Sequence, residues 1–360
     1  MFKGVMGLII ICCVGTSGFW VFKKLGLPMA AMLGSLAATS LLALSGHFPE
    51  APMMDGLSAI CKIAIGVMMG RRINRETASL LRKMLVPATL VSVWMLGLSV
   101  ISGYLMALLS GVELHIALIG SAAGGLSEMA IFALSMNYDA ATVTIIGVGR
   151  LAAVMASIPW LAEKFSGKRT WKRLADDGGG PAETSATAPK KQLSMSRGET
   201  LLLAAFSVAG GALLDKLGTP AGLMLGALVA SGTAAILLDK TFSFHPYIMT
   251  AAQIGIGLTI GSQFGQNQIM YLTSPRFVAS LAVCSSFMIL ATLLLAFVMR
   301  KLTGFSFLTC LLSTSAGGLS QVVLMAEEMD VDPLVVGILH LARYFSIVAC
   351  MPFLITWIVE

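Results

Sequence analysis

"AAGGLSEMAIFALSMNYDA", residues 122–140, sets two glycines, a serine and a glutamate inside a stretch apolar enough to lie in a membrane. A second stretch, "SAGGLSQ" at 315–321, repeats its opening. A helix interrupted at such a point exposes backbone amides and carbonyls that lipid cannot satisfy, so the break must be buried in protein or line a polar cavity. An apolar stretch of about 20 residues that enters and returns reaches only about 15 Å per limb, roughly the midplane of a 30 Å hydrocarbon layer. The expectation is therefore a broken, re-entrant helix in each copy. Gly124 and Gly125, and likewise Gly317 and Gly318, are expected to supply the backbone angles of a tight reversal. Ser127 and Glu128, with Ser320 and Gln321 opposite them, add hydrogen-bonding side chains at that depth. The bland alternative is that GG pairs only let helices pack closely.

The rest of the chain is duplicated around these two points. "LGLPMAAMLG" at 25 returns as "LGTPAGLMLG" at 217, "IAIGVMMG" at 63 as "IGIGLTIG" at 254, and "AAGGLSE" at 122 as "SAGGLSQ" at 315, at offsets of 192, 191 and 193. Asp139, Arg150 and Pro159 reappear as Asp332, Arg343 and Pro352. Two homologous halves follow, 4–163 and 200–359. Between them, residues 164–199 are Gly, Pro, Ser, Thr and charge, a composition that buries too little apolar surface to fold, and they are read as a disordered basic cytoplasmic linker.

Of 360 residues, 57% are hydrophobic and 12% charged, and apolar runs of about 17 to 25 residues recur, the length that crosses a bilayer. The run from Val5 to Phe22 resembles a signal peptide but leads straight into Lys23, Lys24 and another apolar run, so it is read as a retained span. The six cysteines lie within apolar segments without CxxC spacing and read as buried small residues.

The placement of cations orients the halves. If each GGLS stretch dips in and returns, each half crosses five times and the second is inverted relative to the first. Of the 24 lysines and arginines, only Lys3, Lys216 and Arg276 then fall on the non-cytoplasmic side, while Lys62, Arg150 and Arg343 stay within the membrane. Six full spans per half divide the cations far more evenly, and the positive-inside rule prefers the first arrangement. Equivalent loops agree: "RRINRETASLLRK" after the third span is rich in cations, whereas its counterpart "SQFGQNQIMYLTSPR" has only Arg276. An inverted bias between halves is what inverted-topology repeats require.

The duplicated "GGLSEMA…D…R" and "GGLSQVV…D…R" blocks, with the paired "LGxPxxxMLG" openings, resemble the AbrB-type bacterial membrane protein family, whose members carry two copies of one domain. The likeness covers essentially the whole chain outside the linker. It implies an inner-membrane protein variously described as a transporter, a regulator of gene expression or an ammonia monooxygenase. The soluble DNA-binding regulator that shares the name is unrelated, and no nucleic-acid partner is expected. This chain's second copy carries Gln321 where the first has Glu128.

Oxygenation by copper or iron needs converging ligands, yet His47, His115, His245 and His340 are scattered along the chain. No cofactor, metal site or catalytic residue is expected, and the methionines read as flexible apolar filler. No GxxxxGK[ST] loop marks an ATP-driven pump.

What stands out is charge inside the membrane. Arg150 and Arg343 each lie about mid-span, where an unpaired Arg costs at least about 2.5 kcal/mol, and Lys62 is mid-span as well. His340 stands one helical turn before Arg343, on the same face; its bland reading is a neutral ring bonded to a carbonyl. Asp139 and Asp332 precede the last spans and read as N-caps. The sequence-level expectation is an all-α polytopic membrane protein of two inverted repeats that transports a small anionic or amphiphilic solute. Its substrate- or ion-binding residues would be Lys62, Gly124, Gly125, Ser127, Glu128, Arg150, Gly317, Gly318, Ser320, Gln321, His340 and Arg343. Glu128 would couple to H+ or Na+. Membrane lipid surrounds the chain, and a homo-oligomer is compatible with it. The alternative is a membrane-embedded regulator or sensor.

Single cysteines placed in a version without native ones test the inversion. Positions 187 and 74 should label from the cytoplasm and position 266 from outside; labelling of 74 and 266 from one side disproves it.

Overall fold

The computed structural model describes residues 2–25, 29–46, 48–49, 54–70, 75–166, 197–219, 221–238, 246–318, 322–323, 325–326, 329 and 331–359. Among these the regular structure is helical throughout. The first half comprises α1 (Phe2–Lys24), α2 (Ala30–Leu44), α3 (Met54–Gly70), α4 (Arg75–Lys83), α5 (Leu85–Ser110), α6 (Leu114–Ser121), α7 (Leu126–Ser135) and α8 (Ala140–Ser166). The second comprises α9 (Arg197–Lys216), α10 (Gly222–Leu238), α11 (Pro246–Gly261), α12 (Gln266–Thr273), α13 (Pro275–Thr303), α14 (Phe307–Thr314) and α15 (Pro333–Val359). Five stretches are long and apolar enough to cross a membrane: Met6–Lys24, Leu85–Ser110, Ala140–Ile158, Pro275–Thr303 and Pro333–Ile358. The chain is accordingly a multi-pass membrane protein. Most of the linker, 167–196, lies outside the described residues.

The helices gather into two compact units, and each unit draws on both halves of the sequence. One contains α1–α3, α9–α11 and residues 130–141; the other contains α5, α6, most of α8, α13, α14 and α15. The boundaries fall within α4, α7 and α12 and near the start of α8.

In the first unit α1 packs on α2 and α9 on α10, while α3 lies against α10 and α11 against α2. Glycine makes these approaches close. A Cβ on Gly66 would stand 2.3 Å from Met224 O, and one on Gly257 would stand 2.5 Å from Met32 O. One turn on, Gly70 meets Leu228 O at 2.4 Å and Gly261 meets Leu36 O at 2.8 Å. Gly18 and Gly34, like Gly210 and Gly226, abut one another's backbones. With no apolar drive between helices in lipid, small residues four apart gain packing by letting backbones touch. The repeated "LGxPxxxMLG" enters α2 and α10 through a matching device: Met29 (φ 52°) and Ala221 (φ 54°) both take left-handed angles.

In the second unit α5 packs on α6, α13 and α15, and α14 on α13 and α15. Gly111 (φ 78°) ends α5 and Gly304 (φ 71°) ends α13, each in the left-handed conformation that only glycine adopts without strain. Asp139 Oδ1 accepts from Ala141 N at 3.0 Å, and Asp332 Oδ1 accepts from Leu334 N at 2.9 Å, so both acids cap the long helices that follow them.

Gly66→Leu and Gly257→Leu should each destabilise the detergent-solubilised protein by about 1–3 kcal/mol through overpacking. Gly97→Leu should be close to neutral, because a Cβ there meets nothing within 4 Å. Equal thermal midpoints for all three would show that the glycine contacts carry no packing energy.

Candidate functional site at the paired helix breaks

Both GGLS stretches interrupt helices as the sequence led us to expect. α6 ends at Ser121 and α7 begins at Leu126; α14 ends at Thr314, before Ser315. Eight-residue half-helices rise only about 12 Å, so α6 and α14 stop well short of a full crossing. The kink is made by the extended residues Ala122 (φ −60°, ψ 132°) and Ser315 (φ −63°, ψ 139°), which are equivalent in the repeat.

The expected role of the glycines is corrected here. Gly124, Gly125, Gly317 and Gly318 are all absent from the positive-φ residues, so the break does not rest on left-handed angles. Three of them lie in close quarters instead, against neighbouring side chains. A Cβ on Gly125 would sit 1.9 Å from Glu128 Oε2 and 3.0 Å from Tyr344 Cε2; one on Gly124 would press on Met129, and one on Gly317 would sit 2.2 Å from Met155 Cε. These contacts are reciprocal between the halves. The first break touches α15 through Tyr344, and the second touches α8 through Met155.

The orphan carbonyls at each break are met by arginine. Arg150 Nη2 donates to Gly124 O at 3.4 Å. Its equivalent, Arg343, donates through Nη2 to Gly317 O at 3.1 Å and through Nη1 to Ser315 O. Both arginines are buried. Among the described residues neither forms an ion pair with a carboxylate. Guanidinium-to-carbonyl bonds hold both arginines in place.

His340 extends the second cluster. Its Nδ1 lies 3.1 Å from Arg343 Nη2, which can only donate, and its Nε2 lies 2.7 Å from Leu312 O, which can only accept. The pair assigns the neutral tautomer with the proton on Nε2. Position 147, its equivalent in the first half, is glycine.

Glu128 occupies the first turn of α7, where a carboxylate complements the amide end of the helix. It is half-buried, receives a hydrogen bond from Ser127 Oγ at 3.2 Å and folds back over Gly125. Lys62 belongs to the other compact unit, half-buried, donating to Leu134 O at 3.3 Å near the end of α7. Ser320 and Gln321 lie outside the described residues. Two positions escaped the sequence reading: the Ser99 hydroxyl accepts from Ala123 N at 2.9 Å, and the Thr292 backbone carbonyl accepts from Thr314 Oγ1 at 3.4 Å. They are separated by the repeat offset of 193, the one signal that could have singled them out.

Ser99→Ala strands the buried Ala123 amide and should cost about 1–3 kcal/mol, whereas Ser99→Thr, the residue at the equivalent position, should recover most of it. Thermal unfolding in detergent checks both; an Ala variant as stable as the parent would show that the break needs no side-chain acceptor.

The family model described as transition state regulatory protein AbrB matches this chain twice, over residues 2–166 and 173–359. The protein YhjN of Bacillus subtilis (strain 168) is 26% identical over 351 residues, covering 94% of this chain and 90% of its own. A protein of Escherichia coli (strain K12), named there as a candidate regulator, AbrB, is 24% identical over 340 residues, covering 92% and 90%. With two matches that together span nearly its whole length, the chain belongs to the AbrB family and carries the family's domain in duplicate.

Proposed function

We propose that this protein is a secondary transporter of a small anionic or amphiphilic solute in the bacterial inner membrane, built as inverted repeats with its basic linker in the cytoplasm. The observation that carries this reading is the pair of helix breaks in one compact unit, each braced by a buried arginine and each touching a long helix of the other half. Discontinuous helices at a repeat interface are where transporters of inverted-repeat design hold solute, because the backbone groups freed there can face a ligand. The buried charge of Arg150 and Arg343 favours an anion over a metal ion. Glu128, half-buried beside the first break, is the acid placed to exchange H+ or Na+. The position accepts an amide, since its equivalent is Gln321. The protein moves its solute without making or breaking covalent bonds in it, works in contact with lipid and binds no nucleic acid; a homo-oligomer fits this reading equally well.

A second reading, a membrane-embedded regulator or sensor, is favoured by the name that the Escherichia coli relative bears. Flux separates the two. The purified full chain in liposomes, offered labelled inorganic phosphate and small carboxylates, should accumulate at least one of them under an imposed pH or sodium gradient. Glu128→Gln should preserve exchange of that solute while removing its gradient-driven accumulation. Binding without any flux, together with an altered transcriptional response in cells carrying Glu128→Gln, would overturn the transporter reading in favour of the regulator.

A further inference from the structure

The two breaks are alike in backbone but unequal in how well their arginines are satisfied. At the second break Arg343 donates to two carbonyls and to His340, which passes the interaction on to Leu312 O. Only its Nε is left over. At the first break Arg150 has a single long bond, 3.4 Å to Gly124 O, and both Nε and Nη1 are buried without a hydrogen-bond partner. Arg150 is 4% exposed. An unsatisfied donor on a buried charged group costs more than one on a neutral group, so two of them on one guanidinium are a standing deficit that an oxyanion would remove.

The inequality lies at Nη1, which Arg343 gives to Ser315 O and Arg150 gives to no acceptor, and at a second acceptor for Nη2. His340 stands one helical turn before Arg343, and the position one turn before Arg150 is Gly147. A Cβ at Gly147 would meet only Leu126 Cδ1, at 2.6 Å, the far end of a flexible side chain. The first break therefore lacks the ring nitrogen that gives Arg343 Nη2 a second acceptor. It also carries the half-buried Glu128 and the hydroxyl of Ser127 on the first turn of α7, while Arg343 is committed to holding its own break shut.

We propose that Arg150 at the first break is the anion-binding residue, taking a carboxylate or phosphate oxygen on its unfilled Nε and Nη1 donors, and that Arg343 with His340 is a structural brace. The site rests on the transport reading only in naming the bound group as part of a solute. Guanidinium geometry suits either oxyanion.

The test removes the unfilled donors. The purified full-length protein in detergent is titrated with acetate and, separately, with inorganic phosphate at constant ionic strength, and the thermal midpoint is followed. One of the two should stabilise the wild type saturably. Arg150→Lys, which keeps the charge but not the fork, should weaken that anion's apparent affinity by about ten- to a hundredfold, the loss of one charge-assisted hydrogen bond. Arg343→Lys should lower the thermal midpoint and leave the affinity unchanged. Unchanged affinity in Arg150→Lys, or no saturable response of the wild type to either anion, overturns the assignment. Should Arg150→Lys unfold, Arg343→Lys decides: a weakened affinity overturns the assignment and an unaltered one upholds it. Flux keeps the two ideas apart: transport of an anion with unchanged KM in Arg150→Lys sinks the site but leaves the transporter, whereas saturable anion binding without flux sinks the transporter but leaves the site.

Discussion

A carbonyl oxygen at the broken end of a helix in hydrocarbon needs a donor, and here a guanidinium on a long neighbouring helix supplies it. Each partner makes the other tolerable. An unpaired backbone group in lipid costs several kcal/mol, and an unpaired arginine at mid-membrane costs at least about 2.5 kcal/mol. Bringing them together removes much of both penalties without a carboxylate, so the guanidinium stays charged against backbone dipoles. The rest of the second unit is arranged around that contact. α5 lends the Ser99 hydroxyl to the first break, α13 gives the Thr292 carbonyl to the end of α14, and α15 and α8 cross over to touch the opposite half's break.

Duplication explains why each unit is a mixture of halves. The glycine contacts of α3 are made with α10 and those of α11 with α2, so the close-packed seams join one copy to the other. A single copy would leave those glycine faces without partners. In lipid, where apolar surface is no incentive to associate, an open seam of small residues forfeits the van der Waals contact and close backbone approach that hold such helices together. Duplication also leaves room for divergence. His340 against Gly147 and Gln321 against Glu128 are single differences laid on one framework, and they make two equivalent breaks chemically distinct.

Much of this was legible along the chain. The near-constant offset exposed the two copies, and mid-span arginines behind a GGLS motif marked where helices had to break. Asp139 and Asp332 were readable as caps because an N-cap is decided by residues a few positions apart. The neutral, carbonyl-bonded reading of His340 followed from its apolar surroundings. The role of the glycines was not legible in the same way. Glycine serves both left-handed angles and close approach, and only the surrounding side chains reveal that Gly125 lies against Glu128 and Tyr344.

The sequence by itself determined the all-helical membrane class, the duplication, the position of both breaks and the identity of the buried charges, since these depend on hydropathy, period and spacing within one segment. Only the tertiary structure decided which donor reaches which carbonyl, that Lys62 belongs with another unit, that the Ser99 hydroxyl serves the first break, and that Arg150 is left with two unpartnered donors where Arg343 has one. Those outcomes turn on distances of a few ångströms between helices far apart along the chain. A hydrogen bond fails beyond about 3.5 Å, and no linear pattern encodes so short a distance.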